Sequence, residues 1–119
     1  MSRVQWFDSP FNHLSYTVVR DKKDCKKLGI DFNDLSLGEF GKASTNYLID
    51  ENGKNLIVVY MPKHKVKHLF VQALLCHECV HVFQEVKRQM AEKKPSPEFE
   101  AYSIQQIFQD LSYIMWGED

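Results

Sequence analysis

The sequence lacks a long apolar run and a strong excess of charge of either sign. None of its hydrophobic stretches approaches the roughly 18 residues that a membrane-spanning helix requires, and no apolar segment typical of a signal peptide follows Met1. We therefore expect a cytoplasmic protein with no membrane partner. The formal net charge of −1 gives no global electrostatic reason to expect binding to nucleic acid.

The sequence also lacks internal repeats, low-complexity segments and a disulfide framework. Its three cysteines, Cys25, Cys76 and Cys79, are an odd number, which agrees with a reducing compartment. The 119 residues are 44% hydrophobic and 26% charged, an ordinary globular composition. A chain of this length is expected to form a single domain over residues 1–119.

The segment that carries chemical information is the apolar stretch at residues 69–83, LFVQALLCHECVHVF. It contains the pattern HExxH, in which the specified residues are His77, Glu78 and His81. Each residue of an α-helix advances by about 100°, so the two histidines lie about 40° apart on one face. Two imidazoles at this spacing can bind one zinc ion. Glu78 is about 60° from His81, where it can hold a water at the metal and accept its proton.

The residues around the motif favour a metal site over a chance match. All positions of this segment are apolar or cysteine except Gln72, His77, Glu78 and His81. A helix that is apolar all round is typically buried, and buried polar groups require hydrogen-bond partners or a metal. We therefore predict a zinc site. The alternative is a buried helix in which hydrogen bonds alone satisfy the two histidines.

The remaining sequence predicts an α+β fold. Asn52-Gly53 is a strong hairpin signal between two β-rich runs, of which the first is polar and suits a sheet edge. We expect a small, mostly antiparallel sheet of about three strands, packed on the buried motif helix and on a C-terminal helix. Residues 1–13 are expected to form a packed arm or a short helix. Strands are predicted at residues 13–20, 42–49 and 55–61, and helices at 21–28, from 69 to about 90 and at 98–116.

A catalytic zinc site usually has three protein ligands, and the downstream candidates for the third are Glu98 and Glu100. Glu100 is in phase with the apolar stripe of the last predicted helix, which includes Ile104, Ile107, Phe108 and Leu111. A carboxylate that heads a buried stripe needs a partner, so Glu100 is favoured. Glu98 lies on a more polar face, where the helix dipole stabilises an exposed first-turn glutamate.

These residues resemble the metal site of the gluzincin metallopeptidases, with eighteen residues between His81 and Glu100. The hairpin before the motif is similar to that of minimal zincins of the ImmA/IrrE and SprT types. The resemblance covers about residues 38–111. It implies a zinc-dependent peptidase in which His77, His81 and Glu100 bind the metal and Glu78 is the general base.

The resemblance also implies a site for a peptide or protein substrate. The edge strand of the hairpin would hold an extended peptide by β-augmentation, through Ala43, Ser44, Thr45 and Asn46. In this superfamily a tyrosine or histidine often stabilises the oxyanion. The sequence does not distinguish among four candidates for that role, which are His64, His68, Tyr102 and Tyr113.

Three other interpretations stay open. The zinc could be structural or vestigial in a non-catalytic binding or regulatory protein on a zincin scaffold, and by analogy such a protein could belong to a phage or a bacterial regulatory system. Cys76 and Cys79 could form a Cys/His zinc site or a redox pair, but they lie mid-helix and off the histidine face, so we interpret them as small core residues. A nucleic-acid-associated factor would bind through two groups of lysines, which are Lys63, Lys65 and Lys67 and the lysines of residues 22–27. The net charge of −1 argues against this interpretation.

Overall fold

The structure, a computed structural model, contains one sheet and three helices. It describes residues 2–10, 13–37, 43–63, 68–91 and 93–117. This architecture confirms the α+β class. In chain order the elements are β1 (Phe7–Asp8), β2 (Leu14–Val19), α1 (Lys22–Leu28), a 3₁₀ turn (Phe32–Asp34), β3 (Ser44–Ile49), β4 (Asn55–Tyr60), α2 (His68–Gln89) and α3 (Pro97–Trp116).

The sheet has four strands in the order β1-β2-β4-β3. β1 and β2 are antiparallel, as are β3 and β4, whereas β2 and β4 are parallel, so the sheet is mixed. The prediction of about three strands is wrong, because β1 adds a fourth strand where the sequence indicated an arm or a short helix. Its two residues are too few to show the alternation by which a strand is recognised.

The two central strands carry the most apolar sequence, and the polar strand is at the edge. All six residues of β2 are buried, as are Ile57, Val58 and Val59 in β4. The continuous apolar run of β4 is typical of a strand that is covered on both faces, whereas β2 also buries the polar residues Ser15 and Thr17. Among the described residues, β3 pairs only with β4, which confirms the predicted edge position.

The turn between β3 and β4 sets the register of the edge strand. Gly53 has a φ of 81°, a left-handed conformation that glycine adopts without steric cost. Its N–H donates to the carbonyl of Asp50 at 3.0 Å, and the Asp50 N–H donates to Lys54 at 2.9 Å. Six residue pairs follow, including Thr45 with Val59 and Tyr47 with Ile57. Because side chains alternate along a strand, Thr45 and Tyr47 lie on the same face of the sheet.

The two long helices are antiparallel neighbours. The ring of Phe83 near the end of α2 is 6.2 Å from that of Phe99 at the start of α3, and His68 is 4.6 Å from Trp116 at the opposite ends. α3 begins at a cap in which the Ser96 hydroxyl accepts the Phe99 N–H at 3.1 Å. Both helices contribute to the core, through residues such as Leu75 and Val82 in α2 and Ile107 and Leu111 in α3.

Helix α2 is buried along only part of its circumference. Leu69 and Phe70 are 76% and 52% exposed, so the prediction of a helix that is buried all round is wrong. The sheet and α3 cover the face that carries seven buried residues, which are Val71, Leu75, Glu78, Cys79, Val82, Phe83 and Val86. Across the described residues, no helix is both long and apolar enough to cross a membrane.

Candidate metal centre

The two motif histidines meet at the solvent-facing side of α2. Their Nε2 atoms are 3.2 Å apart, and their rings are inclined at 75°. Two imidazole nitrogens bound to one tetrahedral zinc at about 2.0–2.1 Å would be separated by roughly 3.3–3.4 Å. The observed spacing therefore fits a single shared ion. His77 is exposed and His81 is half-buried, so an ion could reach the pair from solvent.

Gln84 orients the second histidine of the pair. Nδ1 of His81 is 3.0 Å from Oε1 of Gln84. An amide oxygen can only accept, so this contact suits the tautomer in which Nδ1 carries the proton and Nε2 keeps its lone pair. Partners of this kind fix the tautomer of metal-binding histidines. Sequence reasoning missed Gln84, although its position three residues after His81 places it within reach on the same helix face.

Glu78 is held beside the histidines by the edge strand. It is only 6% exposed, and the Thr45 hydroxyl donates to its Oε2 atom at 3.0 Å. Each of Glu78, His77 and His81 offers a ligand atom, and these atoms all lie within 4.8 Å of one another. The structure thus brings together the three residues that the motif predicted.

The chemistry of this group suits several divalent metals. Two imidazole nitrogens and a carboxylate oxygen form the kind of ligand set that zinc binds. Other first-row ions bind similar nitrogen and oxygen donors. The geometry therefore supports metal binding, while zinc as the metal stays a prediction.

Glu100 does not join this cluster. Both Glu100 and Glu98 are exposed on the first turn of α3, so the premise that Glu100 heads a buried stripe is wrong. The neighbouring Phe99 contacts Phe83, which lies about 200° round α2 from His81. At its N-terminal end, α3 thus packs on a different flank of α2 from the histidine pair. The assignment of Glu100 as third ligand stays a prediction.

The predicted substrate strand has most of its side chains engaged within the protein. Ser44 donates to the carbonyl of Ser36, and Thr45 donates to Glu78. Asn46 is buried, donates to Val58 O at 3.2 Å and accepts the Ser36 N–H at 2.7 Å. A peptide at this edge would therefore be recognised chiefly by the main chain. Ala43, the remaining predicted contact, is half-buried.

Tyr47 is the next residue on the Thr45 face of β3, and sequence reasoning did not single it out. It lies two residues after Thr45 on the same side of β3, and it is 56% exposed. Burial, followed by the negative charges of Glu85 and Glu78, raises the pKa of its hydroxyl, and Arg88 opposes this shift. The two carboxylates thus oppose ionisation of this hydroxyl. The position of Tyr47 relative to the HExxH motif depends on the register of β3 against β4. A sequence pattern does not show that register.

Of the four residues considered for oxyanion stabilisation, three lie in the described part of the chain, and all three are exposed. Tyr102 and Tyr113 are exposed on α3 by 66% and 38%. His68 is exposed at the start of α2, where its ring contacts Trp116. His64 lies outside the described residues.

The two cysteines of the motif helix differ in their burial. Cys79 is fully buried, and burial raises the pKa of its thiol. Its interpretation as a core residue is confirmed. Cys76 is exposed, so the same interpretation is wrong for Cys76, because this side of α2 is left uncovered by the described residues.

One of the lysines considered for a nucleic-acid surface, Lys63, forms an ion pair at the start of α1. Lys63 lies 3.1 Å from the carboxylate of Asp21, the residue that caps α1. Lys65 and Lys67 lie outside the described residues. The ion pair neutralises part of the positive charge that a nucleic-acid surface would need.

No family model, curated protein or solved structure matches this chain. The candidate metal centre therefore rests on the geometry of its own residues.

Proposed function

We propose that the protein is a zinc-dependent peptidase. The observation that carries this proposal is the cluster on α2, in which two imidazole nitrogens lie 3.2 Å apart with a buried carboxylate beside them. The histidine pair suits metal binding. The carboxylate accepts a hydrogen bond from Thr45 of the edge strand, which suits a group that exchanges a proton with a small molecule in the site.

His77 and His81 would hold the zinc, with Glu100 proposed as the third ligand. Zinc, when bound, would polarise the scissile carbonyl and make a water more acidic. Gln84 would keep the His81 ring in the tautomer that presents Nε2 to the metal. Glu100 is proposed from the resemblance to the gluzincin motif, because its exposed position on α3 removes the argument from a buried stripe.

Glu78 would act as the general base and then as the general acid. It accepts a proton from the attacking water, whose oxygen forms a bond to the carbonyl carbon of the peptide. It then returns that proton to the leaving nitrogen as the carbon–nitrogen bond breaks. The net reaction adds one water across the peptide bond, and Glu78 is regenerated.

The substrate would be an extended peptide aligned with β3. This strand has one edge that is unpaired in the described residues, and it runs past Glu78 at Thr45. Main-chain hydrogen bonds to such an edge give affinity with little dependence on side chains. We therefore expect broad rather than narrow sequence preference.

One observation favours a second candidate, a non-catalytic metal-containing binding or regulatory protein. Within the described residues the ligand cluster comprises His77, Glu78 and His81, without Glu100. If Glu78 itself is the third ligand, its carboxylate is occupied by the metal and is not available as a base.

Metal content and hydrolysis of the Glu78→Gln variant distinguish the two candidates. As a peptidase, the wild type should carry about one zinc per chain and cleave members of a diverse peptide library. The variant should keep the zinc and lose hydrolysis, because an amide preserves the shape but cannot accept the proton. Loss of zinc from the variant, together with an inactive wild type, would identify Glu78 as a ligand in a non-catalytic site.

A further inference from the structure

The edge strand is connected to the proposed base through one side chain. The Thr45 hydroxyl donates to Oε2 of Glu78 at 3.0 Å, although the two residues are 33 positions apart in sequence. Glu78 is nearly inaccessible to solvent. A buried carboxylate needs hydrogen-bond donors to replace lost water, and Thr45 supplies one of them.

We propose that Thr45 is a positioning residue for Glu78, which fixes the orientation of its carboxylate toward the metal centre, rather than a contact for substrate. This proposal rests on the peptidase function proposed above. In this role Thr45 differs from the substrate-binding contact that the family resemblance implied.

The strand holds the Thr45 hydroxyl in a defined place. Thr45 pairs with Val59 within a six-pair ladder, and its neighbour Asn46 is bonded to Val58 and Ser36 from the opposite face of the strand. A β-branched side chain on such a strand has few accessible rotamers. The donor is therefore pre-organised before any substrate binds.

The hydrogen bond from Thr45 to one carboxylate oxygen of Glu78 also restricts the position of the other oxygen. With Oε2 engaged by Thr45, the carboxylate cannot rotate freely, and Oε1 is left free of this hydrogen bond. General-base catalysis depends on a small range of distances and angles between the base and the proton. Loss of the Thr45 hydroxyl should therefore slow turnover more than it weakens substrate binding.

Thr45→Val and Thr45→Ser test the proposal, with Thr17→Val as a matched control. Thr17 is a fully buried strand threonine whose hydroxyl donates to the Gln5 carbonyl at 2.6 Å, remote from the histidines in sequence and strand. Each variant is assayed for zinc content, thermal midpoint, kcat and KM, with a peptide identified in the library screen as substrate.

Thr45→Val should retain zinc and KM within about twofold while kcat falls by about 10- to 100-fold, the range expected for a hydrogen bond to a charged group. Thr45→Ser keeps the donor and should restore kcat to within about threefold of the wild type. Thr17→Val should lower the thermal midpoint without changing kcat. A wild-type kcat in Thr45→Val, or equal losses of kcat in the valine and serine variants, would overturn the proposal.

A second measurement does not depend on activity. In the metal-free protein, the urea midpoints of Thr45→Val, Glu78→Leu and the double variant form a thermodynamic cycle. Thr45→Val should lower the midpoint in the wild-type background and change it little in the Glu78→Leu background. Equal shifts in both backgrounds would show that the two side chains are uncoupled and would overturn the proposal.

Together, these measurements distinguish a failure of the positioning role of Thr45 from a failure of the peptidase function. If the wild type cleaves peptides and Thr45→Val turns over at the wild-type rate, the peptidase function stands and the positioning role is lost. If the wild type binds no zinc and cleaves nothing, the peptidase function fails and the catalytic role of Thr45 fails with it. In that second case the cycle still reports whether Thr45 supports Glu78 in the fold.

Discussion

At the scale of single residues, the candidate site combines a local pattern with distant support. His77 and His81 meet because they are one helical turn apart, and Gln84 adds its contact from the same helix. Thr45 and Tyr47 come from the edge strand, more than thirty residues earlier in the chain. Each kind of contact can be tested by single substitutions.

His77→Ala and His81→Ala should each abolish tight zinc binding and the stabilisation that zinc provides. Metal binding contributes to folding free energy because the unfolded chain has no preformed site. The measurements are the metal content of purified protein and the thermal midpoint with and without added zinc. His68→Ala is the matched control, since His68 is exposed on the same helix and contacts Trp116. Normal zinc content in either motif variant would contradict the assignment.

Glu100→Ala should lower zinc affinity by at least about tenfold if Glu100 is the third ligand, the order of magnitude of losing metal-site support. Glu98→Ala should leave the zinc affinity unchanged and cost only a first-turn dipole interaction of about 0.3–1 kcal/mol. Competitive zinc titration of both variants is the measurement. Wild-type affinity in Glu100→Ala would move the third ligand elsewhere, and weak binding by Glu98→Ala alone would reverse the assignment.

At the scale of elements, helix α2 is buried on one face and exposed on another, although residues 69–83 are apolar on nearly all sides. The sheet and α3 cover one face, while Leu69 and Phe70 are exposed on another. The face that the described residues leave uncovered also carries the histidine pair. The partial burial of α2 thus leaves the candidate metal centre open to solvent within the described part of the chain.

Differences in burial predict the order in which the three cysteines react with an alkylating reagent. Cys76 is exposed, whereas Cys25 and Cys79 are buried, and burial raises the pKa of both buried thiols. Because the thiolate is the reactive species, iodoacetamide should modify Cys76 first in the native protein. Mass spectrometry of timed samples measures this order, and urea-unfolded protein is the control in which all three should react. Modification of Cys79 as fast as Cys76 in the native protein would contradict the packing of α2.

At the scale of the whole molecule, a partly buried hydrogen bond connects α3 to the sheet. The Tyr16 hydroxyl on β2 donates to Asp110 on α3 at 2.5 Å, across 94 residues of sequence. Gln106 donates to the other oxygen of the same carboxylate at 2.8 Å. Burial, and then the interaction with Asp110, raises the pKa of Tyr16 above its ordinary value of 10.0. The link therefore depends on a protonated tyrosine.

This link should make the fold sensitive to alkali. The unfolded chain ionises Tyr16 above about pH 10 while the folded protein does not, so stability is fully present below pH 10 and falls as the pH rises further. The slope from this group approaches about 1.4 kcal/mol per pH unit. Tyr16→Phe should be less stable than the wild type at pH 7, because it loses a bond to a carboxylate. Urea unfolding at pH 7 and pH 11 should show this difference shrinking, and a constant difference would contradict the prediction.

The sequence by itself determined the local features of this protein. It predicted the ends of α2 and α3 to within one or two residues, the Gly29 cap of α1, the hairpin at Gly53 and the edge position of β3. It also placed the two histidines and Glu78 together, because helical periodicity and turn chemistry act over only a few residues.

Only the tertiary structure decided how these elements meet. Packing between elements that are distant in sequence determines four features that the sequence did not predict. They are the β1 strand, the parallel pairing of β2 with β4, the exposed face of α2 and the exposure of Glu100. The same is true of the Thr45–Glu78 bond and of the position of Tyr47. The physical reason is that burial and strand register are set by contacts between distant segments, and the repeat of a single helix or strand carries no information about its neighbours.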